Sequence, residues 1–366
     1  MLERWGLWPQ LEEILEGDTI TRMKRAEASC EGGHRLSDDE GFDTRRMVRP
    51  VVFACDESYA MQLATALRSA VDANRSGQPL DVYVLWDKFS ERMRQRVIDS
   101  LPGGAAVIHW VPVDLSSFEE FSTFPYISKM TFARLMIPCV FAKDVPRVLY
   151  LDADLLVLDD LGPLWDTDLK GAVMGAVLDR VRDPQLKARA PGLEKFPRVR
   201  DYFNSGVLLI DLDRWRKERI SEKAIQYLRR HPDSPCADQD ALNVACDGRW
   251  TALDLRWNFY DHFRTPIVEL TPVERPKIAH FVGCQKPWNA CALSVNAEFY
   301  EVFRRRTRFA RTTADKLRDL GGSAWSRLKR VFKRTSIGQA ARSEYRRWSR
   351  AVKRRRRKLP LSEDQI

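Results

Sequence analysis

Residues 147–159 read Arg-Val-Leu-Tyr-Leu-Asp-Ala-Asp-Leu-Leu-Val-Leu-Asp, an apolar run that drives into two carboxylates, Asp152 and Asp154, and then resumes. A continuous apolar stretch of this kind is the pattern of a strand buried on both faces, as in parallel sheets. In open α/β sheets, ligand chemistry gathers at the carboxyl ends of strands. Two acids two residues apart can converge on one hard cation if the backbone bends there. Mg²⁺ or Mn²⁺ so held would bridge the two phosphates of a nucleotide diphosphate. An ordinary acidic turn after a strand is the plainer alternative.

Outward from this segment the same rhythm repeats. Apolar runs at 51–54, 81–86, 107–111, 148–151, 171–178, 206–210 and 278–282 read as strands, and helical patterns fall at 61–67, 90–100 and 129–141. Strands alternating with helices predict an α/β protein with a mixed, mostly parallel sheet flanked by helices. The domain boundaries follow composition: a polar extension over 1–48, a body over 49–305 and a basic tail over 306–366. No GxGxxG and no GxxxxGK[ST] occurs, so nucleotide binding, if present, does not use either phosphate cradle.

The composition narrows the class further. The 366 residues are 44% hydrophobic and 31% charged, which suits a globular chain and excludes a wholly disordered or collagen-like one. No stretch approaches the ~18 uncharged apolar residues of a spanning helix. The opening MLERWGLWPQLEEILEGD lacks a basic segment followed by an apolar one, so no secretory signal is expected. Seven cysteines are scattered without a CxxC, which argues against a disulfide framework or a zinc site and for a reducing cytoplasm.

Charge is unevenly placed. The net charge is +10, made of +16 in residues 301–366 and −6 in residues 1–300. A basic tail seeks a polyanion. In it, Trp325, Leu328, Val331 and Phe332, then Tyr345, Trp348 and Val352, recur at helical spacing between arginines and lysines. Gly321-Gly322 separates this stretch from what precedes it, and Lys353–Lys358 is an unbroken basic run. Basic amphipathic C-terminal helices with aromatic apolar faces suit an anionic membrane interface. Docking on the chain's own body and nucleic-acid binding are the competing readings.

A second chemical segment is His280-Phe-Val-Gly-Cys-Gln-Lys-Pro-Trp288. A neutral imidazole can complete a metal shell beside two carboxylates. Gly283 permits close backbone approach to a phosphate, and Lys286 can neutralise a departing diphosphate. Alone, His280 reads more readily as a satisfied strand-end histidine than as a ligand.

Six segments occur in order: VVFACDESYA (51–60), TFARLMIP (131–138), RVLYLDADLLVLDDLGPLWDTDL (147–169), YFNSGVLLIDLDRW (202–215), ADQDALN (237–243) and HFVGCQKPW (280–288). Together they resemble glycosyltransferase family 8, the retaining enzymes of GT-A (Rossmann-like) fold, in the pattern of bacterial lipooligosaccharide and lipopolysaccharide α-galactosyl- and α-glucosyltransferases. The resemblance spans about residues 50 to 300. It implies a metal-dependent hexosyltransferase using a UDP-sugar, galactose or glucose, and a glycolipid or lipopolysaccharide-core acceptor.

The resemblance also implies roles. The loop Ala54-Cys55-Asp56-Glu57-Ser58-Tyr59 would hold uracil and ribose, with Asp56 accepting from the uracil N–H and Tyr59 stacking on the ring. Ser58 stands where related galactosyltransferases often have asparagine. Arg134 would approach the nucleotide-sugar. Asp152, Asp154 and His280 would bind Mn²⁺ (or Mg²⁺), and Gly283 and Lys286 the diphosphate. Asn204 would bind the donor sugar, with Ser205-Gly206 giving close approach to it, Asp238 would hold its hydroxyls, and Gln239 would lie near the β face of the anomeric carbon. Asp179 would stand near sugar and acceptor. Because the position of a double-displacement nucleophile holds an amide, Gln239, front-face departure is the expected mechanism, with Asp179 as reserve nucleophile. Residues 112–128 read equally as the lining of an acceptor cleft or as a packed loop, and 181–200 read as an irregular segment that could close over the donor. The expected location is the cytoplasmic side, peripheral on the inner membrane face, without nucleic acid as partner. Two other readings stand beside this one: a glycogenin-like or protein-directed transferase, and a nucleic-acid-binding protein with a basic arm.

Overall fold

A computed structural model describes residues 49–121, 128–179, 197–260, 266–283, 286–289 and 295–312. The N-terminal extension, residues 122–127 of the candidate acceptor cleft, residues 180–196 of the candidate closing segment and the amphipathic tail beyond 312 lie outside the described residues. The described body belongs to one unit; Trp288, Asn289, Arg311 and Thr312 belong to a second, in which Arg311 Nη2 donates to the Trp288 carbonyl at 3.0 Å.

The apolar runs become strands of one sheet. Val51–Asp56 is β1, Leu80–Asp87 β2, Ala106–Pro112 β3, Arg147–Leu151 β4, Met174–Leu178 β6, Phe203–Asp211 β7 and Trp250–Ala252 β8. Their order across the sheet is β3-β2-β1-β4-β7-β6-β8. The pairs β1–β2, β1–β4, β2–β3 and β6–β8 are parallel, and β7 runs antiparallel to both β4 and β6. The expectation of a mixed, mostly parallel α/β sheet therefore holds. The expected strand over 171–178 starts later, at Met174, because Lys170 and Gly171 both take positive φ and turn the chain.

Side chains alternate across this sheet between two cores. Val51 and Phe53 of β1, Leu149 and Leu151 of β4, and Val207 and Leu209 of β7 enter one core; Val52, Val148, Tyr150, Leu208 and Ile210 enter the other. With both faces covered, every strand position prefers an apolar residue, which is why the runs look continuous. Helix Ala60–Ala73 (α1) covers the first face through Leu63, Ala64, Leu67 and Ala70, and Glu91–Ile98 (α2) packs beside it. Helices Ile220–Arg230 (α6) and Asp238–Ala245 (α7) cover the other. Short helices Ile137–Val140 (α3), Gly162–Trp165 (α4) and Leu212–Lys217 (α5) link elements, and Ala297–Arg304 (α8) packs on α1.

The pattern at 129–141 resolves into two pieces, a 3₁₀ segment Lys129–Met136 and then α3. Pro138 has no N–H for the Arg134 carbonyl, which instead accepts from Ile137 three residues on. The chain continues past α8 on the body. Arg68 and Arg96 donate to the carbonyls of Arg306 and Arg308, and Phe309 lies under the Arg96 guanidinium at 4.3 Å.

A two-stranded sheet pairs Leu155–Val157 (β5) antiparallel with Ile278–His280 (β9), opposing Leu155 to His280. The backbone turns between β4 and β5 at Asp152-Ala153-Asp154. That turn delivers the acidic pair to the histidine 126 residues away.

Candidate active site

Strand β4 ends where its backbone hands over to β7: the Asp152 N–H donates to the Gly206 carbonyl at 2.8 Å. Here β7 leaves β6. Ala176 pairs with Leu208 and the next residue, Val177, with Asn204, so Ser205, Gly206 and Val207 are passed over in that ladder. A bulge of this kind re-aims side chains, and it sits where Asn204 and Ser205 enter a cavity of about 320 Å³.

Gly206 is required by packing. A Cβ there would stand 2.7 Å from His280 Nδ1 and 2.8 Å from Asp152 Oδ2, and would collide with His280 Cε1. The close approach expected of Ser205-Gly206 is thus to the acid–histidine cluster. Among the described residues, Asp152, Asp154 and His280 are the one set of His, Cys, Asp or Glu whose ligand atoms gather, all within 4.8 Å.

The donor and acceptor roles in this cluster follow from one backbone N–H. Gly206 N donates to Asn204 Oδ1 at 3.0 Å, so that atom is an oxygen. The group of Asn258 that meets it at 2.8 Å is then the amide NH₂, and the Asn258 oxygen faces His280 Nδ1 at 2.8 Å. Nδ1 therefore carries the hydrogen, and in the neutral ring Nε2 offers its lone pair. That lone pair points at Asp154 Oδ1, 3.1 Å away, and Asp152 Oδ2, 3.6 Å away. Burial alone would raise the Asp154 pKa, but the Lys286 ammonium outweighs it and holds the carboxyl well below the ordinary range. Three acceptors thus face one another, the donor set of a divalent cation with mixed nitrogen and oxygen ligands.

Cations already present balance part of this charge. Lys286 Nζ donates to Asp154 Oδ2 and to the Phe281 carbonyl at 2.5 Å. Arg134, 4% exposed, directs Nη1 to Ser205, Nη2 to Asp152 Oδ1 at 2.8 Å, and Nε to within 3.1 Å of Asp238 Oδ2, an ion pair without hydrogen-bond alignment. Arg134 was expected to approach the nucleotide-sugar; it lines the cavity, and its donors hold Asp152, Asp238 and the β7 backbone. Asp238, which also accepts from Thr131, has its pKa pushed up to about 6 by burial, which Arg134 and Thr131 offset only in part.

Beyond the acid–histidine cluster lies an amide–carboxylate group. Gln239 Oε1 accepts from Ser205 N at 3.0 Å, and its Nε2 lies 3.3 Å from both Asp179 Oδ2 and Tyr202 Oη. Asp179 Oδ2 also accepts from Asn204 Nδ2 at 3.3 Å, and its Oδ1 from Tyr260 Oη at 3.1 Å. At the far end, Asp56 accepts from the Ser58 N–H at 2.9 Å and from Ser128 Oγ at 2.8 Å. Tyr59 stays a neutral phenol, its pKa raised by burial and then by Asp154, Asp152 and Asp56. Gly283 has φ +77° and no atom crowds the space where a Cβ would sit.

Ala54, Asp56, Tyr59, Arg134, Asp152, Asp154, Asp179, Asn204, Asp238, Gln239, His280, Gly283 and Lys286 all line this one cavity. Ser58 does not; its hydroxyl turns back to Asp56. Sequence reasoning missed Ser128, Thr131, Tyr150, Asn258 and Tyr260. The Tyr150 hydroxyl, for one, donates to Asp152 Oδ1 at 2.7 Å. Position in the runs flanking the acids could have exposed Tyr150, whereas nothing local marks Asn258.

Comparison with known proteins is consistent with this geometry. The model of the family described as glycosyl transferase family 8 matches residues 50–292. General stress protein A of Bacillus subtilis is 30% identical over 254 residues, covering 66% of this chain and 87% of that protein. The lipopolysaccharide 1,3-galactosyltransferase of Salmonella typhimurium is 26% identical, covering 66% and 73%. Among solved structures, galactosyltransferase LgtC in complex with donor and acceptor sugar analogues superposes with a TM-score of 0.59 at 30% identity, covering 70% of this chain and 96% of that one.

Proposed function

The chain belongs to glycosyl transferase family 8, and from that premise we propose a metal-dependent, retaining transfer of galactose or glucose from a UDP-sugar to a glycolipid or lipopolysaccharide-core acceptor. The observation that carries this reading is the gathering of Asp152, Asp154 and the lone pair of His280 Nε2 beside the Asp179–Asn204–Gln239 group in one cavity. The donor set fits Mn²⁺ or Mg²⁺, and Gly206, having no Cβ, leaves room for the His280 ring that completes the set. A divalent ion so bound would offset the charge of the UDP diphosphate.

The chain's own residues would do the rest. Asp56 and Tyr59 fit a uracil, one as acceptor and the other as stacking face. Lys286 stands at the same carboxylate as the metal cluster, so positive charge falls where the leaving diphosphate develops negative charge. The bond from the anomeric carbon to the phosphate oxygen breaks, the acceptor oxygen bonds to that carbon on the same face, and the acceptor proton passes to the departing phosphate. Two features favour this front-face route over double displacement. Gln239 is an amide, a poor nucleophile, and the Asp179 carboxylate has hydrogen-bond donors on both oxygens, which lowers its nucleophilicity. The lipopolysaccharide transferases among the relatives support a glycolipid acceptor over a protein one. The basic tail supports work at the inner membrane face more than nucleic-acid binding.

The test is UDP release from a panel of UDP-sugars by the full-length protein, with Mn²⁺ and with EDTA. Release from one sugar that EDTA abolishes is the expected result. No release from any donor, with no UDP binding by calorimetry, would overturn the reading.

A further inference from the structure

We infer that Asn258 is a positioning residue that fixes the ring tautomer of His280 and, together with the Gly206 N–H, holds the amide orientation of Asn204. The inference rests on the proposed metal-dependent reading. Asn258 is 1% exposed and sits at the end of the 3₁₀ turn Leu255–Asn258, whose start Asp254 caps by accepting from the Arg256 N–H at 2.9 Å. The next residue, Phe259, is tied to β9 twice: its N–H donates to the Ile278 carbonyl at 2.9 Å and its carbonyl accepts from the His280 N–H at 2.8 Å. The side chain of Asn258 is therefore carried on backbone that is locked to the strand bearing the histidine.

Its two amide ends have opposite jobs. The oxygen takes the His280 Nδ1 hydrogen at 2.8 Å, which turns the Nε2 lone pair toward Asp152 and Asp154. The NH₂ meets Asn204 Oδ1 at 2.8 Å; with Gly206 N on the same oxygen at 3.0 Å, the Asn204 oxygen is committed and its NH₂ faces Asp179 Oδ2. One side chain thus presents an acceptor to His280 and a donor to Asn204. Outer-shell partners of metal-binding histidines change metal affinity by about 10–100-fold, and only a group with one donor and one acceptor end serves both neighbours here.

The experiment compares wild type, Asn258→Ala and Asn258→Asp by calorimetric Mn²⁺ binding, UDP binding without metal, thermal melting and KM for the donor found above. Asn258→Ala should weaken Mn²⁺ by about 10–100-fold while metal-free UDP affinity stays within about threefold. Asn258→Asp keeps the acceptor for His280 and loses the donor for Asn204. It should bind Mn²⁺ at least as tightly as wild type, with the donor KM raised about tenfold or more. Wild-type Mn²⁺ affinity in Asn258→Ala, or equal loss of Mn²⁺ in both variants, overturns the inference. Absence of Mn²⁺ binding in the wild type overturns the metal reading on which it stands. A misfolded Asn258→Ala is recognised by its melt, and the opposed Mn²⁺ and KM effects of Asn258→Asp then decide alone.

Discussion

At the scale of the residue, Gly206 carries a constraint that no charged side chain shares. Strand β7 passes so close beneath the acid–histidine cluster that a single methyl would enter the space of His280 and Asp152. Overpacking of a buried site costs typically ~1–3 kcal/mol and displaces what it touches. Gly206→Ala should therefore lose Mn²⁺ binding, read by calorimetry, out of proportion to a fall in stability of that order, with UDP release falling alongside. Mn²⁺ affinity at the wild-type level would show that the cluster tolerates the methyl and that the glycine is there for another reason. In the sequence this glycine reads as room for a sugar; only the course of β7 past β4 shows that the room is already taken by the histidine ring.

At the scale of the element, helix α7 presents the site's second pair of residues from its first turn. Ala237 enters the helix at φ +44°, a strained angle for a residue with a Cβ, and is 1% exposed. That entry places Asp238 against Arg134 and Gln239 against Ser205. Burial raises the Asp238 carboxyl from its ordinary 3.8 to about 6. A raised folded pKa means the native state binds the proton more tightly than the unfolded chain. Its contribution to stability is then fully present below about pH 3.8 and lost as pH rises through about 6. An amide in its place would not titrate. The stability of Asp238→Asn relative to wild type should thus improve by up to ~3 kcal/mol between pH 4 and pH 7, measured by urea unfolding at both pH values. A flat difference would mean that Arg134 keeps Asp238 ionised throughout. Strands β1 to β4, β6 and β7 were legible in the sequence because two buried faces leave unbroken apolar runs. The 3₁₀ segment at 129–136 was not, because the consequence of Pro138 falls on the carbonyl of Arg134 one turn earlier. Nor were β5, the β7 bulge and the short β8. β5 and β8, three residues each, carry too little periodicity to read, whereas the equally short β9 was legible because its apolar run extends to Val282; a bulge is decided by what crosses it. Asp152, Asp154, Asn204, Gln239 and His280 could be found from motif order, but their partners Asn258 and Tyr260 lie in a turn whose importance comes entirely from its pairing with β9.

At the scale of the whole molecule, charge separates what the fold and the tail can do. Residues 1–300 carry −6 and residues 301–366 carry +16. An acidic body is repelled by an anionic surface, and a basic tail is drawn to it, each Lys or Arg near such a surface contributing about 1 kcal/mol. The described end of the body shows where the two can be cut apart. Arg306 pairs with Asp72 at 2.8 Å, the Arg308 N–H donates to Ser100 Oγ at 3.0 Å, and Phe309 is buried. These contacts tie α1 and α2 to the segment that follows α8, so a truncation must lie beyond them. Deleting residues 320–366 leaves every one of them in place. Such a variant should release UDP from its donor at the wild-type rate yet no longer sediment with phosphatidylserine-containing vesicles, whereas the full chain should do so and be stripped off by high salt. Vesicle binding that survives the deletion would place the membrane contact on the body. A deletion variant that loses UDP release while keeping its melting temperature would instead make the tail part of the catalytic unit.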